Sequence, residues 1–109
     1  MGTMVIVAFR PKVGHEAELE SLVREHAPYL RNLGLVTDRP ATAMRGRDGT
    51  VVEVFEWVEG GTTAAHSNPN VHALWERFGR ACDYVPLREL PETAEMFAGF
   101  SPIDLKISN

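Results

Sequence analysis

Ala41-Thr42-Ala43-Met44-Arg45-Gly46-Arg47-Asp48-Gly49-Thr50-Val51-Val52-Glu53-Val54-Phe55-Glu56-Trp57-Val58 is the stretch on which the fold turns. Its second half is dense in β-branched and aromatic side chains, which suit a pleated, half-buried surface. Asp48-Gly49 stands between two such runs, the local signature of a hairpin. Two antiparallel strands are therefore expected on either side of it. Alternation divides the second strand, with Val52, Val54 and Glu56 pointing one way and Val51, Glu53, Phe55 and Trp57 the other. Neither set is purely polar, so both faces of the sheet carry apolar surface.

Upstream, Met4-Val5-Ile6-Val7-Ala8-Phe9 reads as a first strand that stops at Arg10-Pro11, where proline interrupts a ladder. After a turn through Gly14, apolar residues recur at Leu19, Leu22, Val23, His26, Leu30 and Leu33, the spacing of an amphipathic helix. Gly34 supplies a left-handed cap for its end. Pro28 lies inside this helix and is expected to kink it near Arg24 and Glu25. Downstream, Gly60-Gly61 breaks the strand, and Thr62 to Ser67 makes a helical turn or two. Asn68 then caps a second helix with Pro69 at its first position. Val71, Leu74, Trp75, Phe78, Ala81 and Cys82 form the apolar face of that helix. A last strand is expected over 83–87, a short extra helix over 91–97, and a tail from Phe100 to Asn109.

The order is β-α-β-β-α-β, the split βαβ pattern. It implies an α+β, ferredoxin-like fold with a four-stranded antiparallel sheet and both helices on one face. The 109 residues make one domain, with 88–109 as a C-terminal helix and tail extension. The formal net charge is -4, and the eleven Lys and Arg residues are scattered, which argues against nucleic acid as a partner. No apolar run approaches the length of a membrane span, and the opening residues lead into a strand with no signal-like core. The single cysteine, Cys82, reads as a small buried residue on a helix, and the expected location is the cytoplasm. A sheet with helices on one side leaves its other face open, so association of two chains through their sheet faces is expected, giving a homodimer.

The strand Met4 to Phe9, the amphipathic first helix, the strand Val51 to Trp57 and the segment Ala65-His66-Ser67-Asn68-Pro69-Asn70-Val71 together resemble the antibiotic biosynthesis monooxygenase-like family of the dimeric α/β-barrel superfamily. The resemblance covers roughly residues 4 to 87. It implies a homodimer with facing sheets, a pocket in each subunit between sheet and helices, and activities that range from cofactor-free oxygenation of aromatic polyketides to haem degradation. The haem-degrading members rely on an Asn in the first strand, a Trp early in the second helical region and a His further along it. None of the three is matched here, so haem is not an expected substrate.

Among polar residues, His66 follows a strand end and precedes the Asn68-Pro69 helix start, a position from which it can hydrogen-bond a phenol or enol or take its proton. The competing reading is a helix-end histidine bonded to backbone. His26 falls on the apolar stripe of the first helix and faces the sheet, where a satisfied core histidine is the alternative to an assisting role. Glu53 shares a strand face with Phe55 and Trp57, and a carboxylate among aromatics must be paired, hydrated or protonated; Arg45 on the preceding strand is its candidate partner. His72 stands at helical spacing from Trp75 and Glu76, with a surface pair as its plainer role. His26, His66 and Glu53 are metal-ligand types drawn from three elements with no ligand-spacing motif, so no metal is expected. Phe9, Met44, Phe55, Trp57 and Trp75 complete an aromatic-lined pocket, although core packing alone also accounts for such residues.

These readings lead to a small enzyme without cofactor or metal, a monooxygenase or isomerase acting on a planar aromatic or enolisable organic substrate, with His66 as base and His26 assisting. The alternative is a non-catalytic dimer that binds a ligand or serves a structural, stress-associated role.

Overall fold

The β-branched run at the start pairs in register with the strand that decides the fold. A computed structural model of the chain describes residues 2–106; Met1 and the last three residues of the tail lie outside the described residues. Strand β1 (Thr3–Pro11) lies antiparallel to β3 (Val51–Trp57), with Val5 opposite Phe55, Val7 opposite Glu53 and Phe9 opposite Val51. Strand β2 (Thr42–Arg45) pairs with β3 across the expected hairpin, and β4 (Cys82–Val85) pairs with β1. The ladder extends through Pro11, which sits at the strand end where a missing donor is tolerated.

The sheet has five strands rather than the expected four, in the order β4-β1-β3-β2-β5. The fifth, β5 (Ser101–Ile103), comes from the tail and pairs with β2, Ala43 opposite Ile103 and Arg45 opposite Ser101. Only a strand at the sheet edge accommodates Pro102, which has no N–H to give, and β5 is such an edge. The short helix expected over 91–97 is a 3₁₀ turn at Pro91–Ala94, preceded by another at Leu87–Glu89. The cause is local: Thr93 N–H bonds the Leu90 carbonyl three residues back, and its hydroxyl donates to the same carbonyl at 2.8 Å. Beyond the turn, Met96 and Phe97 stand in solvent at 93% and 88% exposure. The last strand of the βαβ pattern ends at Val85, since Pro86 cannot extend the ladder, and Cys82 opens it as the cap of the preceding helix.

Helix α1 (Glu16–Asn32) is continuous through Pro28, and Gly34 takes the left-handed conformation at φ 76°. Helix α2 (Gly61–His66) is short, and α3 (Pro69–Ala81) starts as expected, with the Asn68 side chain accepting from the Asn70 and Val71 N–H groups. Gly61 is required at the turn into α2: a Cβ there would stand 2.5 Å from the Leu35 carbonyl oxygen. Helices α1 and α3 cover the β3 face that carries Val51, Glu53, Phe55 and Trp57, and Leu19, Leu22, Phe78 and Phe9 fill the space between. A two-pronged ion pair from Arg77 to Glu25, at 3.1 and 3.0 Å, ties the two helices at the surface.

The opposite face is only partly open. Leu87, Leu90 and Phe100 of the extension cover Ala8 and Val52, and Met44 packs with them. Met4 and Ile6 remain half exposed. Among the described residues no helix is long and apolar enough to cross a membrane.

Candidate functional site

Glu53 lies on the central strand, opposite Val7 on one side and the small Ala43 on the other, with its side chain directed to the helix layer. There it meets His26 from the middle of α1. The imidazole Nδ1 stands 2.7 Å from Glu53 Oε1, and both side chains are buried, at 5% and 0% exposure. A carboxylate in that position accepts from Nδ1–H, which makes Nε2 the nitrogen free to exchange a proton. Among the described residues neither His26 Nε2 nor Glu53 Oε2, both buried, has a hydrogen-bond partner. An orphaned buried polar atom costs about 1–3 kcal/mol, so each of the two calls for an explanation.

Aromatic edges hold the imidazole in place. Its ring centroid is 5.3 Å from Phe55, 4.9 Å from Phe78 and 6.4 Å from Phe9, all in edge contacts. Beside it is an open cavity of about 140 Å³, lined by His26 with Phe9, Phe55, Trp57 and Trp75, and by Val5, Val7 and Tyr84. A second cavity of about 370 Å³, lined by Trp57, Thr62, His66, Trp75 and Tyr84, shares three of those walls. Both are open to solvent; the one beside His26 is the inner chamber and the one beside His66 the vestibule. Among the described residues no Lys or Arg lines either one.

His66, the residue expected as the base, sits in the vestibule. Its ring lies 5.2 Å from Trp75, and it is exposed. His72 is exposed as well and does not reach either cavity; its Nε2–H donates to the His66 carbonyl at 2.6 Å, which braces the α2–α3 junction. Met44 is on the far face of the sheet, because it pairs with Val52 and alternation sends both away from the helices. Arg45 does not partner Glu53; it reaches Glu20 of α1 at 2.7 Å. His26 and Glu53 are thus joined directly, whereas His66 is set apart at the mouth. Among the described residues no three His, Cys, Asp or Glu side chains are grouped as a metal ion would need.

Tyr84 is a site residue that sequence reasoning missed. It stands opposite Phe9 across β1 and β4, with the rings 5.2 Å apart and perpendicular. About half of Tyr84 (54%) is exposed at the sheet edge; burial of the rest, with smaller contributions from Cys82 and Glu53, pushes its phenol up to about 12, so it is a neutral hydrogen-bond donor near pH 7. Its signal in the sequence was the register alone: a residue opposite Phe9 faces the same layer. Cys82 is inert by comparison, its thiol bonded to the Phe78 carbonyl and pushed up to about 11 by burial.

Comparison with protein-family models, with curated proteins and with solved structures finds no match to this chain.

Proposed function

We propose that the chain is a small homodimeric enzyme that removes a proton from an apolar, planar aromatic or enolisable substrate, with His26 as the base and Glu53 as the group that orients it. The observation that carries this reading is the buried Nδ1–Glu53 contact of an imidazole that lines the inner chamber and whose buried Nε2 has no partner among the described residues. Glu53 holds the tautomer and stabilises the imidazolium once the proton arrives, the division of labour known from carboxylate–histidine pairs in hydrolases. Tyr84 offers its hydroxyl to the oxygen on which negative charge develops. The vestibule, with Trp57, Trp75 and His66, accepts the rest of a flat molecule. His66 moves in this proposal from base to binding residue.

Once deprotonated, such a substrate either takes the proton back at another carbon, an isomerisation, or gives electrons to dioxygen. For a CH₂ group between aromatic rings, one oxygen atom becomes the new carbonyl and the other leaves as water with both hydrogens. That balance needs no cofactor, which is the monooxygenase form of the proposal and the activity implied by the resemblance to the antibiotic biosynthesis monooxygenase-like family. Association through the sheet face is supported by Met4 and Ile6, half exposed there, and by the exposed Met96 and Phe97. Cytoplasmic location is part of the same proposal.

The test is oxygen uptake and proton exchange with a panel of phenols and enolisable ketones. Turnover that disappears in His26→Gln and persists in His66→Gln supports the assignment; turnover that survives in His26→Gln overturns His26 as the base, and no turnover in the natural chain leaves the ligand-binding or structural dimer as the better reading. Sedimentation of Ile6→Asp checks the interface, with a shift from dimer to monomer as the expected result.

A further inference from the structure

A third cavity, of about 420 Å³, shares no wall with the two described above. It lies at the other edge of the sheet, where α1 passes the loop before β2 and the chain leaving β5. Its volume falls in the range of small-molecule sites, about 300–1,000 Å³. Val23, Ala27, Pro28, Pro40 and Leu105 give it apolar walls, and Arg24, Arg31 and Lys106 place three cations at its border against one acid, Asp104.

The two arginines are held, and by neutral groups for the most part. Arg24, Pro28 and Arg31 recur at four and three residues along one stripe of α1. Arg31 Nε donates to the Thr37 carbonyl at 2.8 Å and another of its nitrogens to the Arg39 carbonyl at 3.2 Å. These bonds fix the guanidinium and leave its charge in place; the carboxylate nearest it, Asp38, is 4.0 Å away and fully solvated. Arg24 Nε donates to the Asp104 carbonyl at 3.1 Å, and the same guanidinium meets Glu20, an acid already shared with Arg45. Both arginines are only about 30% exposed. Each guanidinium keeps N–H donors to spare.

We infer that this cavity is a binding site for a small amphipathic carboxylate, its flat or short apolar body on Ala27 and Pro28 and its carboxylate on Arg31. A preorganised, partly buried cation beside an apolar wall selects that combination of charge and grease, since a charge-assisted bond to a carboxylate is roughly twice as strong as a neutral one. The site is independent of the proton-abstraction chamber. That chamber has no cation on its walls and favours uncharged molecules; this one favours anions.

Benzoate is the probe, followed by calorimetry and by NMR of the alanine methyls in the full chain. The expected result is saturable binding of one benzoate per chain that shifts Ala27 and Ala41, weakens about tenfold or more in Arg31→Gln, and is unchanged in His26→Gln. Benzyl alcohol, the uncharged counterpart, should bind at least tenfold more weakly. Ala41→Leu, which fills the cavity and keeps every cation, should also abolish binding, and it separates loss of the site from any effect of Arg31→Gln on folding. The inference is overturned if benzoate does not saturate, if benzyl alcohol binds equally well, or if the shifts gather around His26 and Phe55 and ignore both variants.

Discussion

Two glutamates are buried among the described residues, Glu53 in the helix-side layer and Glu92 in the C-terminal extension, and each has one oxygen without a partner there. Their bonded oxygens differ in kind. Glu92 Oε2 accepts the Arg47 backbone N–H at 2.7 Å, and the Arg47 guanidinium lies 3.4 Å away. That N–H first, and the Arg47 charge behind it, hold the Glu92 carboxyl below the usual carboxylate range. Its partners cannot change protonation at any ordinary pH, so it acts as a clamp that pins the extension to the β2–β3 hairpin. Glu53 has for partner an imidazole, the one side chain whose ordinary titration lies near neutrality, and that imidazole borders a cavity. A buried carboxylate with permanent partners supports structure; one with a proton-exchanging partner and a void beyond it is equipped for chemistry.

The contrast breaks most visibly at Glu53→Gln. The amide keeps a hydrogen bond to His26, so stability should change by about 1 kcal/mol or less, while turnover should fall by a factor on the order of 10³–10⁴, because the tautomer and the imidazolium lose their support. Steady-state kinetics beside urea denaturation separates the two quantities. Next in size, Phe78→Ala removes an edge that holds the imidazole and should cost about 3–5 kcal/mol in denaturant unfolding. The same experiment on Glu92→Gln should leave the ring of His26 and any turnover untouched.

On the clamp side, Gly46→Ala places a Cβ 3.1 Å from the Glu92 carboxylate, and the resulting crowding should cost about 1–3 kcal/mol with no effect on His26. The smallest effect at neutral pH is that of Glu92→Gln itself, which shows in acid. The Glu92 carboxyl is depressed in the folded chain, so its stabilisation is full above the unfolded value of about 4.3 and is lost as pH falls through the folded one. Thermal melts across that window should fall more steeply with acid in the natural chain than in Glu92→Gln. Equal slopes would remove Glu92 from the clamp.

Much of the scaffold was legible because its signals are local. The Asp48-Gly49 hairpin, the alternation of β3 and the Asn68-Pro69 start are each decided by neighbours in sequence, and the structure has all three. The fifth strand was not legible, since Ser101-Pro102-Ile103 is too short to show a period and contains a proline that argues against a strand unless its edge position is known. The site divided in the same way. Helical spacing put His26 on the stripe facing the sheet, and strand alternation put Glu53 with Phe55 and Trp57, so both were placed in the right layer. Their contact spans 27 residues between two elements and depends on the angle of α1 over the sheet, which no local pattern encodes. His66 drew attention because it sits beside a cap motif, and that position puts it at the mouth and exposed.

The most direct measurement is the nitrogen NMR of the His26 ring, with and without a phenol. If the pair works as a base, the free protein carries the ring proton on Nδ1 and none on Nε2, and the phenol perturbs Nε2 in the natural chain and not in Glu53→Gln. A ring that carries its proton on Nε2, or ignores the phenol, would reduce His26 and Glu53 to a second structural pair like the one at Glu92.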